Sequence, residues 1–165
     1  MWMGLSDEAS QRLASCPYAL IDVGFGDLQR WRAVQQGAVH DSPRTIGTAC
    51  FDPAGAPPFL RRVLMYGWHL ARAHRQIARV VFGMTPAAAQ YIAALTLTNL
   101  DRIAERHTHW LRPRWETHPQ IWRQLLTCAG DADRGALQQA TLHGLQLIAG
   151  GTLIRGAIAG TDSRA

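Results

Sequence analysis

Arginines placed where they could meet an anion are the residues of this 165-residue chain best suited to chemistry. Asn99, Arg102 and Arg106 stand at i, i+3 and i+7, so on a helix they share one arc. Leu100, Ile103 and Ala104 fall on the opposite side and supply an apolar face. A helix that reads DNA needs this division, with one face to seat it and one to reach base edges or phosphates. Arg112 and Arg114 follow at once, placed to neutralise backbone phosphate. Asp101 and Glu105 lie beside the arc and would repel phosphate.

A second set, Arg61, Trp68, Arg72, Arg75 and Arg79, repeats along a longer helical pattern, and no Asp or Glu occurs between Asp52 and Asp101. A face of one sign that carries a tryptophan suits nucleic acid, through phosphate pairing and stacking. It equally suits a protein interface, where Trp and Arg are enriched.

Other groupings offer less. His107, His109 and His118 flank one loop, but their spacing matches no standard zinc pattern and no cysteine joins them. Cys16, Cys50 and Cys128 are far apart, with no C-x-x-C, which removes zinc-ribbon and thioredoxin-type readings. Gly24-x-Gly26 lacks the third glycine of a dinucleotide fingerprint, because position 29 is Gln29. There is no G-x-S-x-G motif. Asp22 and Asp27 read as turn or cap residues. His74 falls on an apolar face and reads as a core histidine. The expectation is therefore no catalytic residue, no metal, no cofactor and no enzymatic activity.

The elements that must position the arginines are helices. Ser6-Asp7-Glu8 opens a capped helix that Cys16-Pro17 ends. The segment YALIDVGF reads as a strand or a helical turn, and Asp27 to Gln36 reads as helix. Gly37 to Pro58, rich in Gly, Pro, Ser and Asp, reads as a long connection or a partly ordered insert. Phe59 to Phe82 carries the clearest helical period, with Leu60, Val63, Leu64, Gly67, Leu70, Ala71, His74, Ile77, Ala78 and Val81 on one side. Gly83 ends it as a C-cap. Thr85-Pro86 opens the next helix with Thr at the N-cap and Pro at N1. Leu95 to Leu97 makes a turn, and a third helix runs from about Thr98 to His107.

Pro113 makes the following stretch extended, and two more helices cover His118 to Cys128 and Gly135 to Ala149. The predicted fold is all-α, a helical bundle containing a helix-turn-helix-like unit at 85–107, with a smaller N-terminal helical segment. Residues 1–57 form that segment and its loop, 58–150 the main body, and 151–165 a flexible tail.

The formal net charge is +5, and every basic residue is arginine. Such a chain seeks an acidic partner: DNA, RNA, anionic lipid or an acidic protein. The start, MWMGLSDEAS, lacks a basic n-region followed by an apolar h-region, and no apolar run reaches transmembrane length. The expected location is the cytoplasm, with no membrane partner.

The stretch Tyr66 to Glu116 resembles the flagellar transcriptional activator FlhD family. The likeness rests on a long amphipathic helix ending in VFGM, then TPAAAQYIAALTL, then TNLDRIAE, then LRPRWE. LQQATLHGLQLIAG, from Leu137 to Gly150, is similar to the family's closing helix. The resemblance implies an all-helical homodimer that joins a second regulatory subunit, FlhC, to bind promoter DNA and activate transcription. It implies a helix-turn-helix from Thr85 to Arg106 with Asn99 and Arg102 exposed, and Arg114 as the basic residue after it. Leu111 stands where the family places an interchain cysteine, so the resemblance does not extend to a covalent dimer.

Two functions follow as expectations. One is a transcriptional regulator of the FlhD type, binding DNA alone or with a partner subunit through Asn99, Arg102, Arg106, Arg112 and Arg114. The other is a non-catalytic interaction module or adaptor using the Arg61, Trp68, Arg72, Arg75 and Arg79 face.

Overall fold

The structure, a computed structural model, describes residues 4–37 and 51–161, with side chains through residue 151. It is all-α apart from one two-residue strand pair. The expected connection at Gly37 to Pro58 lies mostly outside the described residues, and so do the last four residues of the expected tail.

Local chemistry explains most element boundaries. Helix α1 (Asp7–Ala14) starts where the Ser6 side chain accepts the Ala9 N–H, with Asp7 and Glu8 in its first turn. Strand β1 (Ile21–Asp22) follows, then α2 (Leu28–Gln35), capped by Asp27. Helix α3 (Ala56–Ala73) begins with prolines in its first turn, where their missing N–H groups cost nothing.

The helix predicted over Phe59 to Phe82 is broken. His74 leaves the helical region at φ −143° and ψ 65°, and a separate helix α4 (Arg75–Phe82) follows. The break is a reversal. The Tyr66 and Phe82 ring centroids lie 5.7 Å apart, whereas sixteen residues of unbroken helix span about 24 Å. His74 still donates to the Leu70 carbonyl and accepts from the Ala78 N–H. The N–H groups that α4 leaves without helical partners belong to Arg75, Gln76 and Ile77, all exposed to water. The break also takes those donors from the carbonyls of Ala71, Arg72 and Ala73, and in return it carries Ala78 and Phe82 into the core. His74 is exposed, not the core histidine expected from the periodic pattern.

Gly83 at φ 66° closes α4 in the left-handed cap that its sequence position predicts. Helix α5 (Pro86–Ala93) has Thr85 as N-cap, accepting from the Ala88 N–H. Ala94, Leu95 and Thr96 connect it to α6 (Leu97–Arg106), and α5 and α6 both pack on α3. A 3-10 turn (Thr108–Trp110) leads to β2 (Arg112–Pro113), which pairs antiparallel with β1, Ile21 opposite Pro113 and Asp22 opposite Arg112. Helices α7 (Pro119–Gly130) and α8 (Arg134–Thr161) complete the chain. Helix α8 continues past Gly150 and Gly151, where the flexible tail was expected to begin.

The main core joins Val23, Phe25 and Trp31 to the inward faces of α3, α4, α5 and α6. The N-terminal segment is thus built into the main body. A second cluster lies between α1, α7 and α8, with Leu13, Ile121, Leu125 and Ala140. Phe25 sits between the two halves of the reversal, 4.5 Å from Phe82 by ring centroid and directly over Gly67 of α3. A Cβ at position 67 would lie 2.4 Å from the Phe25 ring, closer than carbon atoms approach.

Gly67→Ala is expected to destabilise by about 1–3 kcal/mol, because a fully buried ring has nowhere to retreat. Urea unfolding measures this; a change below about 0.5 kcal/mol would show that the contact is not tight.

Candidate functional site

The candidate DNA-reading set does not converge on one surface. Asn99 is turned back on its own helix. Its side-chain oxygen accepts from the Thr96 N–H at 3.0 Å and from the Thr96 hydroxyl at 2.8 Å, while Thr96 accepts the Asn99 N–H. This reciprocal cap uses the amide oxygen at the start of α6 instead of offering it to a base edge.

Arg114 is buried at 7 % exposure. Its Nε donates to the Ala19 carbonyl at 2.6 Å and its Nη2 to the Val81 carbonyl at 3.1 Å. Its own N–H reaches the Leu20 carbonyl, and its carbonyl accepts the Trp122 indole N–H. Arg114 is a tertiary clamp, not a phosphate contact as the sequence led us to expect. A guanidinium fork can hold two carbonyls from separate segments, which a lysine ammonium does with less geometric definition. Arg112 lies in β2, half-buried opposite Asp22. Arg102 and Arg106 are exposed on α6, with no ion-pair or hydrogen-bond partner among the described residues.

The second set is divided by the reversal at His74. On α3, Arg61 pairs with Asp101 of α6. The Trp68 indole donates to the Leu95 carbonyl at 2.8 Å, tying α3 to the turn between α5 and α6. Arg72 stacks on Trp68, its guanidinium carbon 4.6 Å from the ring centroid. These three residues serve the packing of α5 and α6 on α3.

Arg75 and Arg79 instead stand on α4. Between them and beside them lie Ile77, 46 % exposed, and Val80, 47 % exposed. Helix α4 thus presents two exposed apolar side chains on one side and, on another, two arginines that have no ion-pair partner among the described residues. No carboxylate occurs anywhere on α3, α4 or α5. Sequence periodicity missed this surface because it placed Ile77 on the inward side of one long helix.

The structure also forms a concave site of about 440 Å³ between α3 and the segment Leu13 to Ile21, with Phe82 among its lining residues. Phe59, Arg62, Val63 and Tyr66 form its α3 wall at i, i+3, i+4 and i+7, a spacing visible in the sequence but without meaning until a second wall faces it. Arg114 braces the cleft from behind, because Ala19 and Phe82's neighbour Val81 are the two segments it joins.

Nucleophilic chemistry finds no support beside that cleft. Cys16 is half-buried, its thiol 3.8 Å from the Thr141 hydroxyl, and burial pushes the thiol above its ordinary range. Burial, reinforced by Cys16, also raises the Tyr18 phenol well above the usual tyrosine value. Both groups are neutral at neutral pH, and no cluster of three metal-ligating side chains occurs among the described residues. Comparison with protein-family models, with characterised proteins and with solved structures finds no match.

Two outcomes follow. Arg114→Ala removes the Ala19 carbonyl's guanidinium donor and one of two donors to the Val81 carbonyl, which keeps the Ala19 N–H, and should cost about 1–3 kcal/mol, against about 0.5 kcal/mol or less for Arg106→Ala. Chemical denaturation of the two variants compares them directly, and equal small losses would remove the clamp. The raised Tyr18 phenol stabilises the fold below the ordinary tyrosine pKa, and that contribution falls as pH rises above it. Tyr18→Phe should flatten the decline in melting temperature above about pH 10; an unchanged decline would assign it to other groups.

Proposed function

We propose that this chain is a non-catalytic regulatory module of the FlhD type that acts chiefly by binding an acidic protein partner through α4. The observation that carries this reading is the composition of α4: Ile77 and Val80, each nearly half exposed, share one side at i, i+3, Arg75 and Arg79 share a neighbouring side at i, i+4, and no carboxylate occurs on α3, α4 or α5. Exposed apolar anchors on a helix that also carries arginine are what a protein interface uses. A symmetric contact between two copies of this face would oppose arginine to arginine, so the complementary surface belongs to a different, acidic chain. The resemblance to the FlhD family is in keeping with this, since members act together with a second subunit.

Replacing both Ile77 and Val80 by Glu should abolish capture of the partner from native lysate, while Arg102→Ala with Arg106→Ala leaves capture intact. Nuclease treatment should not release the partner. Capture that survives the α4 substitutions, or that nuclease abolishes, would overturn the reading.

A second reading, DNA contact by α6, is favoured by the exposure of Arg102 and Arg106. With Arg114 inside the protein and Asn99 engaged as a cap, α6 offers two phosphate-neutralising side chains. The slope of log affinity against log salt should then be about −1.8, against about −3.6 for the four arginines read from sequence. Electrophoretic retardation of a duplex across a salt series measures that slope.

A further inference from the structure

We propose that the cleft between α3 and the Leu13 to Ile21 segment binds an aliphatic chain ending in a carboxylate, of the size of a medium-chain fatty acid. The site is independent of the α4 surface described above. Its volume, about 440 Å³, lies in the range of small-molecule sites. Its walls are almost wholly aliphatic and aromatic: Leu13, Leu20 and Ile21 on one side, Phe59 and Val63 on the other, Phe82 among the lining. The cleft is braced and not collapsible. The Ala19 N–H donates to the Val81 carbonyl at 2.9 Å, and Arg114 donates to the carbonyls of both residues. A pre-formed apolar concavity of this kind gains affinity by releasing water from an aliphatic chain, at about 0.8 kcal/mol per buried methylene.

One charge decides the head group. Among the described residues lining the cleft Arg62 is the sole cationic side chain and no carboxylate occurs, while Tyr18 and Tyr66 supply phenol groups. Arg62 is exposed and has no ion-pair or hydrogen-bond partner among the described residues. It stands one helical turn from Phe59 and from Tyr66 on the same α3 face, at the polar side of an otherwise apolar wall. An aliphatic chain laid against Val63 and Phe59 can therefore reach a guanidinium with an anionic end, and a carboxylate accepts its two N–H groups in parallel. A cationic amphiphile meets only repulsion there. A neutral one gains the apolar walls without the ion pair.

Isothermal titration with decanoate, below its micelle concentration, tests the proposal on the intact chain, with hexanoate and decanol as comparison probes. Decanoate should bind at least ten-fold more tightly than hexanoate and more tightly than decanol. Arg62→Gln should weaken decanoate about five-fold or more and leave decanol unchanged. Ala14→Trp, at an exposed position lining the cleft, should abolish both, with thermal unfolding reporting whether the variant is folded. Methyl chemical shifts of the unsubstituted protein provide a readout free of any variant, and decanoate should move those of Leu20, Ile21 and Val63. Absence of binding, a decanoate affinity indifferent to Arg62→Gln, or shifts confined to other methyls would each overturn the proposal. Failure to bind because another part of the protein or a partner fills the cleft counts among these.

Discussion

The reversal at His74 is the constraint on which the rest of the molecule depends. It turns what periodicity presents as one long helix into a folded-back pair, with Phe82 brought to Tyr66 and onto Phe25. The driving force is burial: Phe82 and Ala78 enter the core, and large aromatic side chains gain most from leaving water. The opposing cost is three helical hydrogen bonds, from the N–H groups of Arg75, Gln76 and Ile77 to the carbonyls of Ala71, Arg72 and Ala73, and all of these residues except Ala71 are exposed. Three features follow from this one turn. Arg75 and Arg79 are removed from the face that carries Arg61, Trp68 and Arg72. Ile77 and Val80 come to the surface. Phe82 becomes a lining residue of the cleft.

Helix α3 is the element that every neighbour uses. Its Gly67 lets the Phe25 ring approach the backbone, and its Trp68 satisfies the Leu95 carbonyl at the turn that leads into α6. Its Phe59, Arg62, Val63 and Tyr66 face the cleft instead. Packing, hydrogen bonding and the proposed ligand wall thus occupy different arcs of one helix. This is why a substitution on α3 must be interpreted by the direction it faces and not by its charge.

Burial sorts the arginines more sharply than sequence position does. Arg112 and Arg114 are two residues apart, yet one is half-buried on a strand and the other lies inside the protein holding two carbonyls. Burying a guanidinium is costly unless its donors are met, and the meeting carbonyls at Ala19 and Val81 come from segments far away in the chain. Arg61 and Asp101 behave likewise at the surface, where the carboxylate that would repel phosphate is engaged by an arginine of α3. The basic character of the chain is therefore spent partly on its own architecture.

Much of the fold was legible in the amino-acid order. The all-α class, the Thr85-Pro86 and Asp27 helix starts, the Gly83 stop and the inward faces of α3 and α6 follow from period and capping, which act over a few residues. The candidate surfaces were not legible, and each miss has a local cause. Leu70, Ala71, His74, Ile77, Ala78 and Val81 continue one period across the break, and neither glycine nor proline marks it, so only the packing of Phe82 against Phe25 and Tyr66 reveals a reversal. Asn99 satisfies the pattern of an exposed reader and of a cap alike, and the Thr96 geometry decided for the cap. The role of Arg114 required the position of carbonyls 95 and 33 residues away in the chain. Sequence by itself determined the helix ends that carry a cap, at Ser6, Asp27, Gly83 and Thr85, because those signals are short-range. Tertiary structure alone decided which charges face water, because that depends on what distant segments bring against them.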